Sequence, residues 1–134
     1  MAISLDPSRP IYLQIMEEIK KRAVRGAYTA GAQIPSVRDM AREMEVNPNT
    51  VARVYMELER EGFIIIRRGQ GSFLTDEPEK LDRERTRIGR EATRRFIKAI
   101  RELGLSEVQR RDIASFVDLS LTGKSDVETT SGEE

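Results

Sequence analysis

The chain has 134 residues, its 23 Lys and Arg are balanced by 23 Asp and Glu, and it contains neither cysteine nor histidine. These absences exclude disulfides, thiol and imidazole catalysis, and the common zinc sites built from cysteine and histidine. The length suits one ordinary domain with a short appendage. Because neither a signal peptide nor a long apolar run is evident, we expect a soluble cytoplasmic protein with no membrane partner.

Residues 10–25 are predicted to form a first helix. Tyr12, Ile15, Met16 and Ile19 recur at helical spacing on one face, and Gly26 follows as a stop signal. Residues 27–35 combine helix breakers with little periodicity. We expect either a loop there or a short strand that pairs with a later hairpin.

The next two helices, residues 36–44 and 47–61, are separated only by residues 45 and 46. Ser36 and Asp39 have the spacing of a capping box, and Asn47 followed by Pro48 is typical of a helix start. Apolar residues cover one face of each helix, namely Val37, Met40, Ala41 and Met44 in the first and Val51, Val54, Tyr55 and Leu58 in the second. The pattern predicts a helix-turn-helix whose second helix keeps a polar opening turn free for a DNA groove.

A β-hairpin is predicted directly after the second helix, which Gly62 ends. Residues 63–67 and 72–75 are rich in branched and aromatic side chains, and the turn between them carries Gly69 and Gly71. Such a hairpin, placed after a recognition helix, is a wing. The predicted fold class is therefore mainly α with a small β-hairpin, and residues 1–75 form a winged helix-turn-helix domain.

Residues 76–122 are predicted to form a helical dimerisation segment. After a boundary at 76–80, a long charged helix covers 81–103, and Ser106 with Gln109 has capping-box spacing before a last helix. Two helices of this size cannot bury a core alone, so we expect them to pack against a second copy. The predicted interface consists of Ile88, Ala92, Phe96, Ile100, Leu103, Ile113, Phe116 and Val117. Residues 123–134 are predicted to be a disordered acidic tail.

The charge distribution also favours two copies. Residues 1–75 carry 11 Lys and Arg against 9 Asp and Glu, and residues 76–134 carry 12 against 14, giving +2 and −2. Contacts to phosphates supply most of the nonspecific affinity for DNA. A single chain with so few cations would bind weakly, so the sequence predicts a homodimer.

Four motifs resemble the winged-helix domain of GntR-family bacterial transcription regulators. They are Gly26-x-Tyr28-x-x-Gly31-x-x-Ile34-Pro35-Ser36-x-Arg38-x-Met40-Ala41, Val46-Asn47-Pro48-Asn49-Thr50-Val51, Leu58-Glu59-x-Glu61-Gly62-Phe63 and Arg68-Gly69-x-Gly71-Ser72-Phe73-Leu74. The Asn-Pro-Asn-Thr-Val variant and the short helical C-terminal segment are similar to the YtrA subfamily. The resemblance implies a dimeric repressor of double-stranded palindromic operators, often those of neighbouring ABC transporter operons.

The resemblance also implies a set of DNA contacts. It places a phosphate contact at Ser36, a DNA-contacting arginine at Arg38 and the wing tip, which approaches the minor groove, at residues 70–71. Larger members often carry an arginine where this chain has Ala52, so we expect Arg53 to read a guanine instead. The full predicted set is Ser36, Arg38, Asn47, Asn49, Thr50, Arg53, Arg68, Gln70 and Gly71.

Structural roles compete with some of these assignments. Capping its own helix explains Asn47 fully, and contact with DNA would be a second role beside it. Tyr55 is expected in the core. Arg67 and Arg68 alternate along a strand, so we expect one to face solvent or DNA and the other to pair with an acid.

Two other functions stay open. A winged helix can serve protein contact in a transcription or replication assembly, and the near-zero net charge favours that alternative. An enzyme is the weakest alternative, because the sequence shows no nucleophile and base pair, metal cluster or phosphate loop. No cofactor or metal is predicted. A small-molecule effector would have to occupy a dimer crevice or the helical segment, and no residue set identifies it.

Overall fold

The computed structural model describes residues 2–123 and contains five helices and three short strands over that range. They are α1 (Ile11–Val24), β1 (Gln33–Ile34), α2 (Val37–Met44), α3 (Pro48–Arg60), β2 (Ile64–Arg67), β3 (Gly71–Leu74), α4 (Pro78–Arg101) and α5 (Glu107–Leu121). The described residues divide into two compact units, with the division between residues 91 and 92. The described helices include none that is both long enough and apolar enough to cross a bilayer.

The core of the first unit is built on one face of α3. Val51, Val54, Tyr55 and Leu58 are each no more than 1% exposed, and together with apolar side chains of α1 and α2 they form a single cluster. Burying a side chain of this size contributes about 1.5 to 3 kcal/mol. The predicted stripes are confirmed, because the two helices share this core.

The turn between α2 and α3 is fixed by caps. The Ser36 hydroxyl accepts from the Asp39 amide at 3.1 Å, but the Asp39 carboxylate accepts from Arg42 instead of reaching back, so the predicted capping box is only half formed. Glu45 ends α2 in the left-handed conformation, with φ of 58°. Asn47 caps α3 as predicted, its Oδ1 accepting from the Asn49 amide at 2.7 Å.

The wing is part of a three-stranded antiparallel sheet with the strand order β1-β3-β2. Gln33 pairs with Phe73 and Ile34 with Ser72, which confirms the short strand expected between residues 27 and 35. On the other side β2 pairs with β3 from Ile64 opposite Leu74 to the wing tip. The Glu59 carboxylate accepts from the Ile66 amide at 3.2 Å and ties this hairpin to α3.

Lys20 joins α1 to α3 and to the first half of α4. Its buried ammonium nitrogen lies 2.6 Å from Glu61 Oε1 and 2.8 Å from Glu84 Oε1. Burial alone would raise the pKa of Glu84, but hydrogen bonds from Lys20 and Arg87 outweigh it, and the pKa is lowered. A buried charge is costly without its partners, so these contacts fix how the three helices meet.

Helix α4 begins at Pro78, earlier than the predicted residue 81. Proline suits a first helical position because the amide it lacks would have no partner there. Leu81 is 8% exposed and belongs to the core of the first unit, and Arg85 donates to the carbonyl of Val24 at 3.0 Å. This unit therefore extends past the domain boundary that the sequence suggests at residue 75, while the assignment of dimerisation to residues 76–122 stays a prediction.

The second unit contains the end of α4 and all of α5. The capping box of Ser106 and Gln109 is confirmed, with both reciprocal bonds present. No residue of α5 is buried within the described chain. Of the predicted interface residues, Ala92, Phe96, Leu103 and Phe116 are exposed, and Ile88 (in the first unit), Ile100, Ile113 and Val117 are half-buried. The predicted acidic tail lies, apart from Gly123, outside the described residues.

Replacing Tyr55 by Phe is expected to lower the free energy of unfolding by about 1 kcal/mol, because the Tyr55 hydroxyl donates to the Pro35 carbonyl at 2.6 Å. Burial raises the pKa of Tyr55 above its usual 10.0. The folded state therefore holds the phenol proton more tightly, and this stabilisation, complete below about pH 10, is lost as the pH rises further. Denaturant melts at neutral and alkaline pH should show less alkaline destabilisation in the variant. Equal sensitivity in both proteins would contradict the assignment.

Candidate nucleic-acid interface

The opening turn of α3 faces away from the core. Val51, Val54, Tyr55 and Leu58 point inward, so helical geometry turns the opposite face, with Asn49 and Arg53, toward solvent. Asn49 and Arg53 are exposed and Thr50 is half-buried. Amide, hydroxyl and guanidinium groups of this kind can bind base edges or phosphates. The structure thus places three predicted contacts on one accessible stretch.

Asn47 divides its side chain between two tasks. Its Oδ1 is used by the cap, accepting from the Asn49 amide. Its amide nitrogen donates to no other group in the described part of the chain, and the residue is exposed. The free donor is therefore available to a phosphate or base beside the start of α3.

Arg53 is exposed but does not extend freely into solvent. Its guanidinium carbon lies 3.8 Å from the centroid of the Tyr12 ring, which belongs to α1. The sequence places Tyr12 on the apolar face of α1, and the half-buried residue both packs against the core and contacts the arginine. Helical spacing cannot reveal a stacking partner on another helix, and sequence analysis missed this contact.

Arg38 lies beside a shallow groove between α2 and the start of α3. Arg42, Glu45, Val46 and Pro48 also line this groove. Arg38 is exposed and forms no ion pair within residues 2–123, whereas Arg42 is engaged by Asp39 at 3.1 Å. Arg38 is thus the uncommitted cation of α2, and Ser36 lies at the cap of the same helix.

The wing tip places Arg68, Gln70 and Gly71 at the end of the hairpin. The Gln33 side-chain amide donates to the Gln70 carbonyl at 3.1 Å. Gly71 has φ of +118°, a backbone conformation that other residues rarely adopt, so this position favours glycine.

The expectation that Arg67 or Arg68 pairs with an acid is wrong for the part of the chain that the structure describes. Both are exposed, and Arg67 instead lies with its guanidinium carbon 5.2 Å from the centroid of the Phe73 ring. The register explains the difference, since Arg67 is opposite Gly71 and near an aromatic side chain of the facing strand. Both guanidinium groups stay on the wing surface.

Residues ahead of α1 form a hydrogen-bonded clamp that the sequence analysis missed. The buried Gln14 side chain accepts from the Asp6 amide at 2.7 Å and donates to the carbonyls of Asp6 and Arg9 at 2.7 and 3.1 Å. Farther back, the Ile3 amide donates to the Met44 carbonyl at the end of α2, at 3.5 Å. A glutamine within an apolar helical stripe was the only signal for this clamp.

The geometry defines a winged helix-turn-helix protein of the DNA-binding class. The family described as "Bacterial regulatory proteins, gntR family" matches residues 11–74. The HTH-type transcriptional regulator YhcF of Bacillus subtilis is 45% identical over 100 residues, which cover 75% of this chain and 83% of that protein. The HTH-type transcriptional repressor YtrA of the same organism is 43% identical over 76 residues, covering 55% of this chain and 58% of that protein.

A solved GntR family transcriptional regulator from Listeria monocytogenes is similar over most of its length. Its TM-score is 0.73 at 36% identity, and the match covers 85% of this chain and 97% of that one. The chain therefore belongs to the GntR family of bacterial regulators, which bind DNA and regulate transcription and are not enzymes.

Replacing Asn47 separates its two tasks. Asn47→Asp is expected to keep the helix cap and the free energy of unfolding, but to weaken DNA binding, because a donor is replaced by a negative charge. Asn47→Ser is the neutral control, which keeps a capping oxygen without the charge, and Asn47→Ala should cost about 1 kcal/mol of stability. Thermal melts and fluorescence anisotropy on a bound duplex measure the two effects. Unchanged DNA affinity in the aspartate variant would place Asn47 outside the interface.

Proposed function

We propose that this protein is a homodimeric, cytoplasmic transcription repressor that binds a palindromic operator. In this proposal the recognition helix, residues 48–61, enters the major groove, and the wing, residues 63–75, lies at the minor groove. The observation that carries the proposal is the orientation of α3, which buries four apolar residues and leaves Asn49 and Arg53 exposed beside Thr50. Recognition helices of this class contact base edges with their N-terminal residues.

Two arguments support a second copy. Arg38, Arg53 and Arg68 are few cations for one DNA-binding surface, and a dimer doubles them. The apolar side chains of residues 92–121 are also left open by the single chain, among them Phe96, Phe116 and Leu121 at 42%, 54% and 82% exposed. Exposed apolar surface of this extent marks an interaction site, and two-fold dimers are the commonest arrangement for soluble chains.

The sign of regulation and the target follow from similarity. The relative YtrA is named as a transcriptional repressor, which favours repression over activation here. By the same resemblance we propose a transporter operon as the target, and a small molecule bound to the helical segment as the effector.

The salt dependence of DNA binding tests this function. A duplex selected from a random library, or an inverted repeat upstream of the gene itself, serves as the ligand. If the dimer neutralises roughly 6 to 10 phosphates, log K should fall with log salt at a slope of about −5 to −9. Arg38→Ala should reduce the magnitude of that slope by about 2 per dimer and weaken all sequences alike. A flat slope would contradict the proposal and favour protein contact.

Introducing a charge among the exposed apolar side chains of residues 92–121 tests whether the protein is a dimer. Phe96→Asp is expected to give monomers and to weaken operator binding by at least about a hundredfold, because a carboxylate would be buried without a partner. Thr86→Asp adds the same charge at an exposed polar position of α4 and is the matched control. Light scattering and sedimentation report the oligomeric state. Dimers that survive Phe96→Asp would refute this interface.

A further inference from the structure

We propose that Tyr12 is a positioning residue for DNA recognition, because its ring holds the guanidinium of Arg53 ready to contact a base. The inference rests on the proposed function, since it concerns how the same surface reads DNA. The observation behind it is the 3.8 Å between the Arg53 guanidinium carbon and the Tyr12 ring centroid. At that separation the planar cation lies against the ring face.

Stacking leaves the donors of Arg53 available. A guanidinium group contacts an aromatic ring through its flat face, whereas its N–H bonds point outward in its own plane. Arg53 is exposed and forms no ion pair within the described residues, so those donors have no competing acid. The stack therefore restricts the side chain without using the groups that would form two hydrogen bonds to the O6 and N7 atoms of a guanine.

The ring itself is held in place by the start of α1. Pro10 provides no side-chain cap for this helix. Gln14, within the first turns of the helix, bonds to the preceding segment instead. Its buried amide makes three hydrogen bonds to the backbone of Asp6 and Arg9, which fixes the segment that leads into Tyr12. Because the supported ring already restricts the Arg53 side chain, little further rotamer entropy is lost when that side chain binds DNA.

Base preference measured on a library of duplexes tests the role. Wild type, Arg53→Ala, Tyr12→Leu and Tyr12→Phe are compared for the affinity ratio between the preferred base and its alternatives at each position. Leu13→Ala is the matched control, since Leu13 is 47% exposed next to Tyr12. The chain has no tryptophan, so Tyr12→Trp adds a single indole whose emission reports the contact with Arg53 directly.

We expect Arg53→Ala to reduce discrimination by at least about fivefold at one position of each half-site. Tyr12→Leu should reduce it at the same position by about two- to fivefold, while Tyr12→Phe, Tyr12→Trp and Leu13→Ala preserve it. In the double variant Tyr12→Leu with Arg53→Ala, the tyrosine change should have no further effect. Circular dichroism and thermal melts identify any variant that loses its fold, and Tyr12→Trp emission that Arg53→Ala leaves unchanged would overturn the stack independently of folding.

The failures are distinguishable. If the wild type selects no sequence, the proposed function itself fails, and this inference fails with it. If the wild type is selective but Tyr12→Leu keeps the full preference that Arg53→Ala loses, Tyr12 has no positioning role. If Arg53→Ala leaves the preference unchanged, Arg53 does not read a base and the inference is wrong while DNA binding stands.

Discussion

The burial of one side of α3 is the constraint on which the rest of the structure depends. Four side chains fix the rotation of this helix about its own axis, and the buried Tyr55 hydroxyl also fixes the loop before α2 by donating to the Pro35 carbonyl. A helix that rotated by one residue would bury Asn49 or Arg53 without partners, which is costly. Core packing therefore determines which polar groups reach solvent, and with them the chemistry of the surface.

Some polar side chains on this surface use part of their atoms in contacts within the protein and leave the other atoms exposed to solvent. Asn47 uses an oxygen for the cap and keeps a nitrogen free, and Arg53 uses the face of its guanidinium and keeps the edges free. Glu59 is different, because its exposed carboxylate accepts a hydrogen bond from the Ile66 amide of the wing. The result is a surface on which cations and amides stay accessible although the chain carries no net charge.

Local patterns allowed much of this fold to be predicted from the sequence. Caps at Ser36, Asn47 and Ser106 involve residues two or three positions apart, and the apolar stripes repeat within single helices, so one window of sequence contains the whole signal. The partners of Lys20 lie 41 and 64 positions away. Pairings at that separation depend on how helices meet in space, which periodicity does not encode.

The same reasoning explains the misses at the candidate site. Tyr12 has the spacing of a core residue, and only the approach of α1 to α3 turns its ring toward Arg53. Arg67 ends β2 and Arg68 lies in the turn that follows, so strand alternation does not separate them, and the register of the wing brings Phe73 rather than an acid to Arg67. The Ser36 box is half formed because Arg42, one turn along, competes for the Asp39 carboxylate.

The bond from Gln33 to the Gln70 carbonyl gives the hairpin tip a mechanical tie to the strand that leads directly into α2. The hairpin tip and α2, which carries Arg38, are thus connected through β1. A surface whose parts are held at a preset separation before binding loses less conformational entropy when a partner binds.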